Sequence, residues 1–477
     1  MNSKMAMSYD RFYINGEWVL PNANAQTQVI NPATEELIGV VPQGNAVDVE
    51  RAVQAARKAF PGWSKTTASQ RAAYITALAN EMKVRQEELS LTISRELGMP
   101  LHLALDIQVL GPIEGVESYI DVAHELAETQ QIGNSVIYKE PVGVCSLICP
   151  WNYPLHQLVG KIAPALAAGC TMVVKPACET PINAFLLAEI LESIDLPPGV
   201  FNLVTGPGPT VGEAMCIHPE VDLVSFTGST QAGVRIAKIA GESVKRVCQE
   251  LGGKSPLIIT QDADLETAVK YGVEDVMLNS GQTCTALTRM LVPYSCYEQA
   301  VAHAKHVAEG LTIGDPLDGQ HFMGSMSSAK QQASVLHYIQ QGIDEGATLI
   351  TGGLAMPEGV TRGFYVRPTI FAHVCNHMVI AQEEIFGPVL CIIPYEDIKE
   401  AIDIANDTVF GLSAAVWSGT KKEGLDIARE IRAGQVFVNG GEYNYLAPFG
   451  GFKQSGNGRE WGLEGAMEYI ELKSIQL

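Results

Sequence analysis

A cysteine set among small polar residues, Asn279-Ser280-Gly281-Gln282-Thr283-Cys284-Thr285, lies a little past the midpoint of this 477-residue chain. A thiolate is the strongest nucleophile a side chain offers near neutral pH, and Gly281, Thr283 and Thr285 are small enough to leave Cys284 reachable. Free cysteines more often serve as small buried hydrophobes, so the case for chemistry rests on other segments. Asn152 sits between Trp151 and Tyr153 in a turn flanked by Pro150 and Pro154. It could aim an amide donor at an oxyanion, or be an ordinary Asx-type turn residue. Glu250, ahead of Leu251-Gly252-Gly253, is either a base in a partly dry cleft or a surface carboxylate at a strand end. In Phe226-Thr227-Gly228-Ser229-Thr230-Gln231-Ala232-Gly233 a strand passes through a glycine turn into a helix start, whose unpaired N–H groups suit a pyrophosphate. It lacks the GxGxxG spacing, and a plain N-cap accounts for Ser229 equally well. Lys175, directly after Met172-Val173-Val174, could meet ribose or phosphate, or only solvent. Glu383-Glu384-Ile385-Phe386-Gly387-Pro388 sets two carboxylates beside an aromatic in a turn.

The elements that must position these groups are legible from periodicity. Residues 11–32 alternate β-formers with turn residues and predict a hairpin turning at Asn15-Gly16. In 46–60 the apolar positions Val49, Ala52, Val53, Ala56 and Phe60 mark one helical face, which Pro61-Gly62 is expected to stop. A second helix opens near Ser69 with Ile75, Leu78, Ala79 and Met82, and helix continues to Leu97, where Gly98 and Pro100 end it. From residue 142 short apolar runs (142–148, 171–174, 201–204, 221–226 and 244–247) alternate with helical stretches (155–168, 182–194, 210–217 and 231–240). That alternation predicts a doubly wound parallel sheet, with ligands at the strands' carboxyl ends. Past Gly252-Gly253, a possible hinge, a second α/β unit begins with strands at 256–259 and 289–293 around a helix at 265–277. It runs to the 433–439 stretch, after which 449–459 is Gly-rich and 467–477 strand-like.

Hydrophobic residues at 47% and charged residues at 18% describe a well-packed chain of two large α/β units and a small appendage. A net charge of −21 without a basic cluster excludes a phosphate-neutralising surface, so no nucleic-acid partner is expected. The ten cysteines form no CxxC pair and no zinc spacing, which argues for a reducing compartment and no metal site. Met1 to Asp10 carries no apolar run behind a basic start, and the longest near-apolar run, 162–174, is too short to span a membrane. A cytoplasmic protein is the expectation.

Taken together, Pro150-Trp151-Asn152-Tyr153-Pro154, Phe226-Thr227-Gly228-Ser229-Thr230, Glu250-Leu251-Gly252-Gly253-Lys254, Gly281-Gln282-Thr283-Cys284, Glu384-Ile385-Phe386-Gly387-Pro388 and Pro448-Phe449-Gly450-Gly451-Phe452-Lys453-Gln454-Ser455-Gly456 resemble the ordered motif set of the NAD(P)-dependent aldehyde dehydrogenases. The resemblance extends over nearly the whole chain, from Tyr13-Ile14-Asn15-Gly16 and Asn31-Pro32-Ala33-Thr34 onward. It implies that Cys284 attacks the aldehyde carbon, that Asn152 and the Cys284 backbone N–H hold the oxyanion, and that hydride leaves to nicotinamide. Glu250 then activates the water that hydrolyses the thioester, with Glu460 assisting proton traffic. A bare carbonyl gives up hydride poorly, whereas a tetrahedral alkoxide gives it up readily. By the same resemblance Trp151, Lys175, Cys178, Gly208, Gly228, Ser229, Leu251, Glu384 and Phe386 line the cofactor. Tyr153, His156, Gln157, Gly160, Thr283, Thr285, Tyr443, Tyr445 and Phe449 line the substrate tunnel.

The implied organisation is α/β: a doubly wound cofactor-binding domain over 1–125 and 142–252, a second α/β catalytic domain over 253–447, and a small β oligomerisation element over 126–141 and 460–477. A homodimer or homotetramer follows. Relatives that prefer small aliphatic aldehydes often carry a bulky residue where Gly160 stands, so a roomier tunnel for aromatic or longer aldehydes is expected, unless Gly160 is a helix-packing position. Two rivals are a coenzyme A-acylating enzyme, against which Glu250 speaks, and a non-catalytic structural member, which would be expected to lose Cys284. In Lys175-Pro176-Ala177-Cys178-Glu179, Cys178 stands where many NAD-preferring relatives have a glutamate, so no carboxylate there repels a 2′-phosphate. NAD use with appreciable NADP activity is therefore predicted; side-by-side kinetics with both cofactors test it, and strong exclusion of NADP contradicts it.

Overall fold

The computed structural model describes residues 7–477; the first six residues of the Met1 to Asp10 stretch lie outside the described part. Two large sheets organise the chain. The first has eight strands in the spatial order Gly456–Asn457, Arg246–Glu250, Leu223–Thr227, Val144–Ile148, Thr171–Lys175, Phe201–Leu203, Phe12–Ile14 and Glu17–Val19. Its five central strands are parallel. Val144–Ile148 and Thr171–Lys175 are buried at every position, as strands covered by helices on both faces must be. From Val144–Ile148 the chain first winds outward through Thr171–Lys175 and Phe201–Leu203, then returns to lay Leu223–Thr227 on the opposite side. The order reverses between these two neighbours, and their carboxyl ends open the crevice in which an α/β sheet takes its ligand.

The second sheet runs Thr348–Thr351, Thr369–Ala372, Val389–Tyr395, Arg289–Pro293, Pro256–Ile259, Ser413–Trp417 and Gln435–Val438, parallel except for its first strand. After it the chain returns to the first sheet, where Gly456 pairs with Glu250. Ile470–Gln476 then joins Ser135–Pro141 and Gln130–Ile132 in a separate three-stranded sheet. Among the described residues no helix is long and apolar enough to cross a membrane.

The N-terminal hairpin turns at Asn15 and Gly16, both at positive φ, with Phe12 opposite Val19. Other boundaries depart from expectation. The first helix, Ala46–Trp63, runs through Pro61. A proline in the last turn removes a single N–H, and Ser64 N still reaches the Phe60 carbonyl at 2.9 Å. The strand expected over 244–247 is Arg246–Glu250, because Val244 is exposed in a left-handed turn. The shift makes Glu250 the last strand residue, opposite Thr227. Two π-helical turns, Asp106–Leu110 and Gly208–Gly212, went unforeseen. Gly252-Gly253 is no open hinge: a Cβ on Gly252 would lie 2.4 Å from a Glu384 carboxylate oxygen, and one on Gly253 2.4 Å from the Cys284 carbonyl.

Fully buried Arg289 ties the segment just past this junction to the second α/β unit. Its Nε donates to the Lys254 carbonyl at 3.0 Å, and its other nitrogens donate to Asn376 Oδ1 and the carbonyls of Ile404 and Ala405. Arg289→Met fills the same space but strands these acceptors, so stability is expected to fall by about 3 kcal/mol or more. An unchanged thermal midpoint contradicts that account.

Candidate active site

The Cys284 loop is built by three successive left-handed residues, Asn279 (φ 50°), Ser280 (φ 55°) and Gly281 (φ 74°), directly after the helix Leu265–Met277. Two of them are not glycine, and side-chain hydrogen bonds hold the turn. Asn279 Nδ2 donates to the carbonyls of Asn152 (3.0 Å) and Gln282 (3.3 Å), and Ser280 Oγ donates to the Gly324 carbonyl (2.9 Å). Gln282 Nε2 donates to the Asn279 carbonyl, and its Oε1 accepts from Ser327 N at 2.8 Å. At Gly281 a side chain is excluded twice over, by φ and by Gly387, whose carbonyl carbon lies 2.0 Å from where a Cβ would stand. Thr283, Cys284 and Thr285 emerge half-buried from this scaffold.

Asn152 belongs to the same assembly. Its Nδ2 donates to the Gln282 carbonyl at 3.1 Å, an acceptor that fixes which end of the amide faces it. The Asn152 carbonyl in turn receives Gln108 Nε2 at 3.1 Å besides Asn279. Gln108 is buried and rides on the π-turn, an insertion that redirects a side chain within an otherwise regular helix. The Asx-turn alternative for Asn152 falls away. Its side-chain amide is anchored on Gln282 and its backbone carbonyl on Gln108 and Asn279, and the residue lines the cleft it shares with Cys284.

Three carboxylates face the sulfur. Glu250 and Glu460 are buried, each with one oxygen lacking a partner. Glu460 bonds Lys161, whose buried amine also donates to Ser225 Oγ (3.1 Å) and Thr227 Oγ1 (2.8 Å). Burial, reinforced by Glu460, raises the Glu250 carboxyl well above its ordinary range. Burial opposes the Lys161 charge, yet Glu460 holds its amine above the usual value. Glu384 accepts from Gly253 N at 3.0 Å, and burial raises it to about 7. Its neighbour Glu383 turns outward to Tyr338 Oη at 2.7 Å. Burial first, then Glu384, Glu250 and Glu460, push the Cys284 thiol up, toward its protonated form.

The cleft holds about 270 Å³ and runs from Cys284, Asn152 and Gln157 past Trp151, Phe386 and Glu384 to Leu251, Gly228 and Ser229. Trp151 and Phe386 meet edge to face at 5.4 Å, Phe386 at φ 57°. Ser229 caps the helix Thr230–Gly241 by accepting from Ala232 N. The two glycines flanking this helix start make close contacts of their own. Gly228 N donates to the Glu250 carbonyl at 3.0 Å, and Gly233 makes room for Leu251. Lys175 is buried, its Nζ donating to the carbonyls of Pro176 (2.8 Å) and Gly206 (3.1 Å). Gly208 opens the second π-turn with free space above its Cα. Cys178 is half-buried on the loop after Lys175, and Glu179 beside it is exposed.

On the other side of Cys284, Tyr153 Oη and Thr283 Oγ1 stand 2.7 Å apart. His156, Tyr443, Tyr445, Phe449 and Trp461 continue as one cluster of rings with centroids 4.8–6.3 Å apart. Burial lowers His156 to about 4, so the cluster is uncharged at neutral pH. At Gly160 the packing alternative holds: a Cβ there would lie 2.9 Å from Trp461 Cζ2, so the indole fills the space that Gly160 leaves. Gln108, Asn279, Lys161 and Trp461 were all missed. Lys161 alone left a signal, as the single ionised group in the mostly apolar helix Pro154–Ala168.

Residues 18–475 match the family model described as the aldehyde dehydrogenase family. The chain is 47% identical over 468 residues, 98% of each protein, to a 3-succinoylsemialdehyde-pyridine dehydrogenase from a Pseudomonas species. A crystal structure of aldehyde dehydrogenase C from Pseudomonas syringae with NAD+ and octanal is 46% identical, with a TM-score of 0.97 over 98% of this chain and 96% of that one. An aldehyde dehydrogenase from Mycobacterium tuberculosis complexed with NAD+ is 41% identical, with a TM-score of 0.97 over 99% of both chains.

A protonated thiol leaves a kinetic signature. Between about pH 7 and 9, iodoacetamide should alkylate Cys284 at a rate rising roughly tenfold per pH unit without a plateau. A plateau near neutral pH would mean the resting sulfur is already a thiolate. With its motifs gathered around one cleft and its relatives matched from end to end, the chain belongs to the aldehyde dehydrogenase family.

Proposed function

We propose that this enzyme oxidises uncharged aromatic or longer-chain aldehydes to carboxylic acids with NAD, through a covalent adduct on Cys284. The observation that carries the reading is the convergence of the Cys284 sulfur, the Asn152 amide bonded to Gln282 and the start of the Thr230–Gly241 helix at Ser229 on a single cleft. The cleft fits a dinucleotide in kind: Trp151 and Phe386 form a slot beside the sulfur, Glu384 offers acceptors to ribose hydroxyls, and the helix start offers N–H donors to phosphate. Bound there, NAD supplies a hydride acceptor, and the acyl group is left on Cys284 as a thioester.

The protein's own groups do the rest. The thiol must first lose its proton to solvent, and burial raises the Glu250 carboxyl, which makes its carboxylate a stronger proton acceptor than an ordinary one. The sulfur adds to the aldehyde carbon, and the oxygen that gains charge meets the second N–H of Asn152. Water attacking the thioester gives up its proton to Glu250, the acid leaves, and Cys284 regains its thiol. Lys161 and Glu460 lie beside Glu250 as the next proton holders.

The neutral ring cluster offers no cation to a carboxylate tail, which favours uncharged aldehydes. The octanal bound by the Pseudomonas syringae relative agrees with a long apolar tail. With a thiol at 178 and Glu179 exposed, NADP is tolerated beside NAD. Exposed Ile132, Leu472, Ile475 and Leu477 on the three-stranded sheet support self-association as a homodimer or homotetramer. Ten unpaired cysteines support a reducing, cytoplasmic setting.

NADH absorbance with an aromatic aldehyde, octanal and acetaldehyde tests the reading. Cys284→Ala should abolish turnover. Glu250→Gln should give a burst of about one NADH per site and then a steady rate lower by about 10²–10⁴-fold. Steady turnover by Cys284→Ala, stimulation of the native enzyme by coenzyme A, or turnover of acetaldehyde alone each contradicts it.

A further inference from the structure

Three glycines on two helices face two rings supplied by the C-terminal loops. A Cβ on Gly111 would lie 2.5 Å from Tyr445 Oη; on Gly115, 2.4 Å from Trp461 Cζ3 and 2.8 Å from Tyr445 Cδ1; on Gly160, 2.9 Å from Trp461 Cζ2. Approaches under about 3 Å leave no room for even one methyl. The helices have given up bulk at three places, and the loops fill it.

Trp461 is fully buried, edge-on to His156 at 5.0 Å and to Tyr445 at 4.9 Å. It therefore stands behind the rings that face the substrate. Its backbone, at φ 60° and ψ 161°, lies in a region that glycine ordinarily occupies, and such strain persists only where the surroundings enforce it. The enforcement is visible: Phe449 and Glu460 exchange two backbone hydrogen bonds of 2.7 Å, and Gly462 N donates to the Tyr445 carbonyl. These bonds tie the two loops together, with the indole packed beside them.

We propose that Trp461 is a specificity-determining residue. Seated against Gly115 and Gly160, with Tyr445 held against Gly111 and Gly115, its indole backs His156 and Tyr445 and so sets how bulky an aldehyde tail the tunnel admits. Whatever adds bulk at these glycines drives the rings toward the substrate, and whatever trims the indole lets them retreat. The inference rests on the reading of the ring cluster as the substrate tunnel, and acetaldehyde turnover reports the chemistry independently of it.

The test is a double-mutant cycle with Gly160→Ala and Trp461→Phe, comparing kcat/KM for 2-naphthaldehyde and acetaldehyde. Gly160→Ala should lower the naphthaldehyde to acetaldehyde ratio by about tenfold, because one methyl in an apolar site commonly discriminates by that much. Trp461→Phe should raise the ratio, and in its background Gly160→Ala should have no effect. NAD+ binding by protein fluorescence, unchanged in all variants, shows that each folds; if Gly160→Ala does not fold, the ratio for Trp461→Phe decides alone. A ratio unmoved by Trp461→Phe, or a Gly160→Ala effect of equal size in both backgrounds, overturns the proposal. If Tyr443→Ala also leaves the ratio unmoved, the tunnel reading itself has failed; if it changes the ratio, only the role of Trp461 has.

Discussion

The carbonyl of Gln282 accepts hydrogen bonds from the side chains of both Asn152 and Asn279, and the rest of the site is arranged about that shared acceptor. One donor arrives from the strand-to-helix turn of the first sheet and the other from the end of a helix on the second. The bond therefore sets the two halves in register at the place where sulfur and amide must meet. Side chains usually hold three left-handed residues in a row poorly, yet here the hydrogen bonds of Asn279, Ser280 and Gln282 over-determine the turn. Cys284 is reachable because everything just before it is fixed.

Charge in the site is governed by burial. Glu250, Glu460 and Lys161 are withdrawn from water, and the one close ion pair among them, Lys161 with Glu460, leaves Glu250 without a cation bonded to it. A buried carboxyl in that position resists ionisation, and a thiol facing three carboxyls does as well. Burial thus holds both groups above their ordinary ranges, and a cation brought into the cleft would lower both. The raised carboxyl and the raised thiol both follow from the same burial.

Space is distributed as deliberately as charge. Gly252 and Gly253 admit the Glu384 carboxylate and the Cys284 carbonyl, Gly281 admits Gly387, and Gly115 and Gly160 admit Trp461. In each case a residue without a side chain on one element permits close approach by a group from a distant one. A local reading assigns such glycines to turns or hinges, as it did for Gly252 and Gly253.

The sequence by itself determined the two α/β units, the helix and strand faces and the motif order, because periodicity and turn chemistry act over a few residues. Asn152, Glu250, Ser229, Cys284 and Glu384 could be singled out for the same reason: each sits in a short segment whose residue types suit its chemistry. Tertiary structure alone decided which of them share a cleft, and that Gly228 spends its N–H on the Glu250 carbonyl rather than leaving it open. It also decided that Gln108 reaches Asn152 from a π-turn, that Lys161 pairs with Glu460, and that Trp461 fills the room opposite Gly160. Each of these contacts joins residues far apart in the chain, and their geometry comes from packing, which no local pattern encodes.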